Sequence, residues 1–389
     1  MIPAAGRLDP AVRPRPASDV RLLHLDPGSG ALADRGFDEL ASLLGAGDLL
    51  VVNDAGTLPA SLRARAGRDA VEIRLAGVVP EASGPAGPCL WNAVLFGPGS
   101  WRQRTEDRPA PPRLGVGERL RLGPGLSAQV EGVSPESARL VQIRFDRVDA
   151  DVWPLLFRRG RPVQYSYLAG SLCLGQAQTP FASRPWAVEP PSASLPLSLR
   201  VLRQLRLRGV GVGWLTHAAG LSSTGDPRLD ARLPLPERYE IPSSTVAALA
   251  EARAAGGRVV AVGTTVVRAL EGAARAHAGA LRAGHGVTDL RIGPSFRPSV
   301  VDGLLTGIHE PGSSHFELMA AFASRRLLDR AFRHAVDHGY LGHEFGDSSL
   351  VLKGLPPAGA CRQEPSPRSH APEAAVPRGL GGASPSRRT

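Results

Sequence analysis

The segment RVVAVGTTVVRAL, residues 258–270, has the residue types of a ligand-binding turn between a strand and a helix. An apolar strand pattern stops at Gly263, two hydroxyl side chains follow at Thr264 and Thr265, and a helical pattern then begins. The first N–H groups of a helix have no partner within it, so this turn could bind a carboxylate, another anion or a ribose hydroxyl. The alternative is an ordinary turn in which Thr264 or Thr265 caps the helix.

Two further segments carry groups that could transfer protons or bind a polar ligand. TGIHEPGSSH places His309 and Glu310 between a predicted strand and a predicted helix. Histidine titrates near neutral pH and can act as acid or base, although a loop histidine is also a common hydrogen-bonded structural residue. Asp302 lies inside the apolar run SVVDGLL, where a carboxylate must be paired or contact a ligand.

Several polar motifs have a structural interpretation beside a functional one. His334 and His338 lie one turn apart on a predicted helix, but zinc would need further ligands, so solvated surface histidines are the favoured interpretation. PERYEIP predicts a loop in which Glu237 and Glu240 are solvated or hold a cation. A stripe of arginines at 200, 203 and 206 indicates a solvated helix face or a ridge that contacts RNA.

The block FGDSSL superficially resembles part of a serine hydrolase signature. A hydrolase nucleophile belongs on an early turn between a strand and a helix, with its acid and histidine partners downstream. Here the block lies near the end of the predicted ordered region, and only His370 follows it. The hydrolase interpretation is therefore disfavoured.

The strand and helix patterns predict an α/β domain that is interrupted by an inserted β domain. Residues 1–58 form its first part, with a hairpin around Pro27 and a buried strand DLLVVND that ends at Asn53 and Asp54, where open α/β sheets present polar groups to ligands. Period-two runs such as VEIRL and LVQIRF predict a small antiparallel β-barrel over residues 59–151. Residues 152–355 alternate strands and helices, which predicts a mixed, largely parallel sheet. A long final helix over SSHFELMAAFASRRLLDRAFRHAVDHG is expected, followed by a disordered basic tail, residues 356–389.

Composition predicts a soluble globular protein. Of 389 residues, 42% are hydrophobic and 21% are charged, and no apolar run is long enough to span a membrane. No secretory pattern opens the chain, and three scattered cysteines form neither a disulfide framework nor a zinc motif, so a cytoplasmic protein is expected. The formal charge of +10 favours a polyanion such as RNA without requiring one.

Several motifs in order resemble one known family, the S-adenosylmethionine:tRNA ribosyltransferase-isomerases of queuosine biosynthesis. GDLLVVNDAGTLPASL resembles the family's N-terminal strand and turn, and VVAVGTTVVRALE is nearly identical to its central motif. VVDGLLTGIHEPGSSHFELMAAFA and AVDHGYLGHEFGD follow the family's C-terminal block, and WAVEPPSASLPL matches more loosely. The resemblance extends from about Arg21 to Leu352.

The resemblance implies an α/β domain with an inserted β-barrel, and a transferase-isomerase that uses S-adenosylmethionine as a ribosyl donor. The ribosyl group passes to 7-aminomethyl-7-deazaguanine in a tRNA, which gives epoxyqueuosine and releases adenine and methionine. No metal is required, and a monomer that binds tRNA but no membrane is expected. The residues expected to bind the donor's polar ends are Asn53, Asp54, Gly263, Thr264, Thr265 and Arg268. Asp302 and Glu237 are expected to bind sugar hydroxyls or balance charge, and His217 and His309 to transfer protons.

The chain also departs from the family pattern at positions that carry polar groups. After Asn53 the family has Asn, Thr and Arg, where this chain has Asp54 and then Ala and Gly. Two family histidines are replaced by Pro196 and Leu235, and a family Asn by Gly307. Two alternatives therefore stay open: an enzyme that uses the same donor with a small-molecule acceptor, and a non-catalytic nucleotide- or RNA-binding homologue.

Overall fold

The computed structural model describes residues 6–79, 83–84, 87–88, 90–147 and 149–354. Residues Met1–Gly354 belong to one unit, within which all the described elements lie. The predicted disordered tail, residues 356–389, lies outside the described residues.

The elements are numbered in chain order. The strands are β1 (Asp9–Pro10), β2 (Arg21–Leu25), β3 (Leu32–Gly36), β4 (Leu49–Asn53), β5 (Ala55–Thr57), β6 (Ser61–Ala66), β7 (Asp69–Val78), β8 (Ser83–Gly84), β9 (Gly87–Pro88), β10 (Leu90–Phe96), β11 (Arg119–Arg121), β12 (Ser127–Val133), β13 (Leu140–Phe145), β14 (Arg184–Ala187), β15 (Gly211–His217), β16 (Glu237–Ile241), β17 (Val259–Val262), β18 (Gly284–Thr288), β19 (Gly303–Gly307), β20 (Leu341–Gly342) and β21 (Ser348–Val351). The α-helices are α1 (Asp149–Arg159), α2 (Leu199–Leu207), α3 (Pro227–Asp230), α4 (Ser243–Ala254), α5 (Thr264–Ala276), α6 (Ser314–Met319) and α7 (Arg325–Asp337). Short 3-10 helices include Phe37–Leu43 and Ser192–Ser194.

The inserted strands close into an antiparallel barrel with the order β10-β13-β12-β11-β6-β7. Alternate residues along β6 and β13 are buried, which is the pattern of strands with one face inside a barrel. Trp91, Leu95 and Ile143 are among the buried residues on the inner face, where Trp91 pairs with Ile143 and Leu95 with Ile73. The prediction of an antiparallel β-barrel inserted in an α/β domain is confirmed, while the exact domain limits, 59 and 151, stay predictions.

The main sheet has nine strands in the order β18-β16-β15-β4-β17-β19-β21-β2-β3. Its central strands β15, β4, β17 and β19 are parallel, and the outer pairs β15–β16, β19–β21 and β2–β3 are antiparallel. Every residue of β4 is buried, because helices cover both faces of a parallel sheet, and this explains the unbroken apolar run in the sequence. The carboxyl ends of the four parallel strands therefore lie along one edge.

Three local predictions are wrong in detail. The expected long C-terminal helix is two helices, α6 and α7, because the side chain of Ser324 accepts a hydrogen bond from the Leu327 amide and starts a new helix. The pattern of FDELASLLGAGD predicts a short α-helix, but Phe37–Leu43 forms a 3-10 helix. Glu237 and Glu240 lie in β16 rather than in a loop, because β15 and β18 pair with that segment on both sides.

No helix in the described ranges is long and apolar enough to cross a membrane.

Candidate active site

The turn between β17 and α5 presents an uncapped helix start at the carboxyl edge of the sheet. Gly263 is the N-cap of α5 with φ +93°, a conformation that side chains other than glycine rarely adopt, and its amide donates to the Leu305 carbonyl at 2.8 Å. No side chain of the described residues caps the helix, so the predicted cap by Thr264 or Thr265 is wrong. The first backbone N–H groups of this helix are therefore available to an anion or a hydroxyl.

Asn53 holds the neighbouring strand ends in place. Its Oδ1 accepts hydrogen bonds from the amides of Ala55 at 3.0 Å and His217 at 2.9 Å. Its Nδ2 donates to the His217 carbonyl at 2.9 Å and to Thr265 Oγ1 at 3.4 Å. A side-chain amide has two donor hydrogens and two acceptor lone pairs, and all four are engaged. Asn53 thus has no hydrogen-bonding capacity left for a ligand, and it positions Thr265 and β15 instead.

Asp54, expected to bind the donor, is also engaged with neighbouring strands. One carboxylate oxygen accepts from Thr216 Oγ1 at 2.6 Å, and the other accepts from Ser183 Oγ at 2.9 Å. Thr216 in turn accepts a hydrogen bond from Arg184, which also pairs with Glu240. This network joins β4, β14, β15 and β16 beside the helix start.

Three residues far apart in sequence, His217, Glu237 and Arg268, form a buried charged cluster at the same edge. Glu237 is 6% exposed, its Oε1 accepts from the Gly220 amide at 2.6 Å, and its Oε2 forms an ion pair with Arg268. His217 Nε2 lies 3.3 Å from that same oxygen, and neither ring nitrogen has a hydrogen-bond partner among the described residues. Burial lowers the pKa of Arg268 to about 10, so the guanidinium stays charged at neutral pH.

The two candidate proton-transfer histidines are both neutral at physiological pH. Burial and the charge of Arg268 hold the pKa of His217 well below its usual value. His309 Nε2 lies 2.9 Å from Thr306 Oγ1, and its ring stacks on His315 with centroids 4.7 Å apart. Burial, with the neighbouring His315 and His343, likewise keeps the pKa of His309 well below normal. A neutral imidazole can accept a proton, so both residues are potential bases.

His315 connects these groups and was not identified from the sequence. Burial and the charge of Arg268 lower its pKa to about 4. Its ring stacks on that of His309 and is close enough to Arg268 for that charge to act on its pKa. The sequence pattern gives no signal for this role, because His315 stands in an ordinary amphipathic stretch.

Asp302 does not join the cluster. It precedes β19 rather than lying inside the strand, it is exposed, and its Oδ2 accepts a hydrogen bond from the Val259 amide at 2.8 Å. Val259 begins β17, whereas Gly263 follows its end, so the carboxylate lies about 13 Å away at the opposite edge of the sheet. Of the two alternatives for a carboxylate in this apolar run, the structure shows the paired one, and the expected contact with the donor stays a prediction.

A small cavity of about 40 Å³ lies beside the helix start. Among the residues that line it are Ala193, Pro196, Gly307, His343 and Glu344. Ala193 lies 3.6 Å from where a Cβ on residue 263 would be, which places the cavity next to the turn. Two of the departures from the family pattern, Pro196 and Gly307, therefore face the same cavity as a histidine and a glutamate.

Glu344 is the second residue that the sequence did not single out. Its Oε2 is buried with no hydrogen-bond partner among the described residues, and burial raises the pKa of the carboxyl to about 7. The neighbouring His343 has φ +67° and stacks on Tyr167 with ring centroids 4.2 Å apart, which holds this loop against the protein. Burial of a glutamate in LGHEFGD depends on tertiary packing and has no sequence signature.

We expect Glu344→Gln to reduce the loss of stability between about pH 5 and pH 8. A carboxyl whose pKa rises from 4.5 to about 7 stabilises the fold fully below pH 4.5 and loses that contribution as pH rises through 7. The shift corresponds to about 3 kcal/mol, which partial exposure of the side chain lowers to about 2 kcal/mol. Urea unfolding at the two pH values measures this change in the free energy of unfolding. The exposed Glu118→Gln is the control, and identical pH dependence in both variants would contradict the prediction.

A larger, basic cavity of about 500 Å³ is lined by the segment that leads into β16 and by the end of α5. Three arginines and one aspartate line it, which gives a local charge of +2: Arg232, Arg275, Arg291 and Asp289. Pro236 also lines it and directly precedes Glu237, so the cavity lies next to the charged cluster. Arg275 lies in the last turn of α5, about two turns from Arg268. This groove suits a phosphate backbone.

The fold and the site together define a class of protein. An open α/β sheet with an uncapped helix start and a buried ion pair at its carboxyl edge is typical of proteins that bind a nucleotide-like ligand with an anionic group. Comparison with known proteins identifies the family within this class. A family model described as "Queuosine biosynthesis protein" matches residues 8–351. The chain therefore belongs to the queuosine biosynthesis protein family, which confirms the resemblance identified from the sequence.

Relatives match over nearly their whole length. Three proteins named S-adenosylmethionine:tRNA ribosyltransferase-isomerase illustrate the range. That from Azoarcus sp. is 37% identical over 86% of this chain and 90% of its own. Those from Thermus thermophilus and Methylobacterium sp. are 36% and 34% identical, each over 88% of this chain and over 94% and 95% of their own. A solved S-adenosylmethionine tRNA ribosyltransferase from Thermotoga maritima is 27% identical, covers 90% of this chain and 99% of that one, and has a TM-score of 0.47.

Proposed function

We propose that the protein is an S-adenosylmethionine:tRNA ribosyltransferase-isomerase. It transfers the ribosyl moiety of S-adenosylmethionine to 7-aminomethyl-7-deazaguanine in tRNA, giving epoxyqueuosine and releasing adenine and methionine. The observation that carries the proposal is the family match over residues 8–351. The uncapped start of α5 beside the Glu237–Arg268 pair supports it, because the donor has an anionic end that such a site suits.

In this proposal the start of α5 binds the polar ends of the donor. The backbone N–H groups at Thr264 and Thr265 and the nearby guanidinium of Arg268 provide positive potential, which suits the methionine carboxylate. Glu237 anchors Arg268 through the buried ion pair, and Asn53 fixes Thr265. The donor therefore meets groups that are already oriented before it binds.

His309 is the better placed of the two candidate bases. The positive sulfur of the donor acidifies the hydrogens on its 5′ carbon, so a neutral imidazole within reach can remove one. His217 is fully buried, whereas His309 keeps partial exposure on the loop after β19. We assign proton removal to His309, whereas His217 lies in the buried cluster 3.3 Å from Glu237 Oε2.

Mass spectrometry of the nucleoside tests the function directly. The protein is incubated with S-adenosylmethionine and a tRNA that carries 7-aminomethyl-7-deazaguanine, and the same tRNA with unmodified guanine is the control. We expect a ribosyl-derived mass gain on the modified nucleoside only, with adenine and methionine released in equal amounts. Adenine release without that gain would favour a small-molecule acceptor. No release and no gain would favour a non-catalytic binding protein.

The basic groove predicts where tRNA contacts the protein. We expect Arg275→Ala to weaken tRNA binding about fivefold to tenfold and to lower the slope of log affinity against log salt by about one, because one phosphate contact is lost. Binding measured over a range of salt concentrations checks this. The control is Arg203→Ala, which removes an exposed arginine of α2 from the stripe noted in the sequence. A larger effect of the α2 variant would move the tRNA surface to that helix.

A further inference from the structure

Two imidazoles and one carboxylate, those of Asp34, His334 and His338, form a cluster outside the candidate active site. Asp34 lies on the edge strand β3, His334 lies in the last turn of α7, and His338 is the C-cap of that helix. One potential ligand atom of each residue lies within 4.8 Å of the other two. In the sheet, β3 is three strands from β19, which is about 14 Å at normal strand spacing.

The distances in this cluster suit a small divalent cation. His334 Nε2 lies 2.9 and 3.0 Å from the two carboxylate oxygens of Asp34, and the rings of His334 and His338 stack with centroids 3.9 Å apart. Neighbouring ligand atoms around tetrahedral zinc are about 3.3 Å apart, given bonds of about 2.0–2.1 Å. The Asp34–His334 pair is therefore a few tenths of an ångström from zinc spacing, and the ligand atom of His338 lies within 4.8 Å of both.

Outer hydrogen bonds already orient two of the three ligands. His338 Nδ1 lies 2.8 Å from the His334 carbonyl, which holds the proton on that nitrogen and leaves Nε2 with its lone pair free for a metal. The hydroxyl of Tyr340 donates to Asp34 Oδ1 at 2.6 Å and leaves Oδ2 for an ion. Backbone carbonyls and hydroxyls that orient ligands in this way are a regular feature of protein metal sites.

We propose that Asp34, His334 and His338 bind one Zn²⁺-like divalent cation. Two imidazoles and one carboxylate are donors that zinc accepts, whereas Mg²⁺ and Ca²⁺ prefer oxygen ligands. Asp34 and His338 are exposed, so water completes the coordination. The ion joins the β2–β3 hairpin to the end of α7 and takes no part in the proposed reaction. The third ligand comes from a strand that is remote in sequence, which is why the histidine pair alone did not predict the site.

Calorimetric titration of the full chain with zinc chloride, after removal of any affinity tag, tests the proposal. We expect one ion to bind per chain, and His338→Asn to weaken binding at least about tenfold. His277→Asn is a matched control, because His277 is the C-cap of α5 and its Nδ1 lies 2.9 Å from the Ala273 carbonyl, the same arrangement as at His338. This control should bind zinc as the unchanged protein does.

A second measurement separates a metal site from a plain Asp–His ion pair. Zinc should raise the thermal unfolding midpoint of the unchanged protein and of His277→Asn, but not that of His338→Asn, which keeps the Asp34–His334 pair. Tyr340→Phe should fold and bind zinc more weakly by about tenfold, because Asp34 loses its orienting hydroxyl. Absence of zinc uptake at millimolar concentration, or equal affinity in His338→Asn, would overturn the proposal.

Discussion

Arg268→Ala is expected to lower the free energy of unfolding by about 3–5 kcal/mol and to abolish turnover. The substitution leaves the carboxylate of Glu237 buried without its cation, and removal of one partner from a buried ion pair is far more costly than removal of both. It also removes a positive charge from the side of His217 and so raises the pKa of that histidine. A protonated His217 can then pair with Glu237, so the loss should be smaller at about pH 5 than at about pH 8.

Urea unfolding and adenine release on the same preparations check this prediction. The matched control is the double variant Glu237→Gln with Arg268→Met, which removes both charges at similar volume. It should recover most of the stability but none of the activity, because the guanidinium beside the start of α5 is still missing. A loss of less than about 1 kcal/mol in Arg268→Ala would show that the ion pair is largely solvated.

His309→Ala is expected to reduce turnover at least about 100-fold while the protein stays folded. The ring has one hydrogen-bonded side-chain partner in the structure, Thr306, and it is partly exposed, so its removal leaves the core intact. Methionine release with S-adenosylmethionine and modified tRNA measures turnover, and thermal unfolding measures the fold. The reduction should fall on kcat more than on KM, because a base acts in the transition state.

Two controls separate a base from a structural residue at this position. Thr306→Val removes the hydroxyl at Nε2 but keeps the ring, so it should reduce turnover far less. His24→Asn changes a histidine whose Nε2 lies 2.9 Å from the Leu352 carbonyl, and it should leave turnover unchanged. Full methionine release by His309→Ala would remove this residue from the mechanism and leave His217 as the candidate base.

The elements whose pattern comes from residues adjacent in the sequence could be predicted. The pattern of GVGWLTH predicts a strand, and this segment is β15. The strand, turn and helix predicted around Gly263 are β17, the turn and α5. Alternation of apolar and polar residues likewise identified the barrel strands, because this pattern is a property of each strand and does not depend on the order of strands in the barrel. The order of strands in the nine-stranded sheet had no such local signal.

The chemistry of the site depends on that strand order, which is why it was only partly predictable. Glu237 looked like a loop residue between prolines, and only pairing with β15 and β18 places it against Arg268. The apolar neighbours of Asp302 suggested a buried residue inside a strand. β19 begins only at Gly303, so Asp302 lies just before the strand and is exposed. The burial of Glu344 and His315 comes from tertiary packing, so no sequence pattern identified them as site residues.

The position of β4 has a consequence for how the chain folds during synthesis. Leu49 of β4 pairs with Gly211 of β15 on one side and with Val259 of β17 on the other. Both partner strands of β4 are therefore synthesised much later than β4 itself. All strands of the closed barrel lie between β4 and β15 in the sequence, and they pair only with one another in that barrel. On the ribosome the barrel can therefore form first, while β4 stays an unpaired apolar strand until the second half of the polypeptide is made.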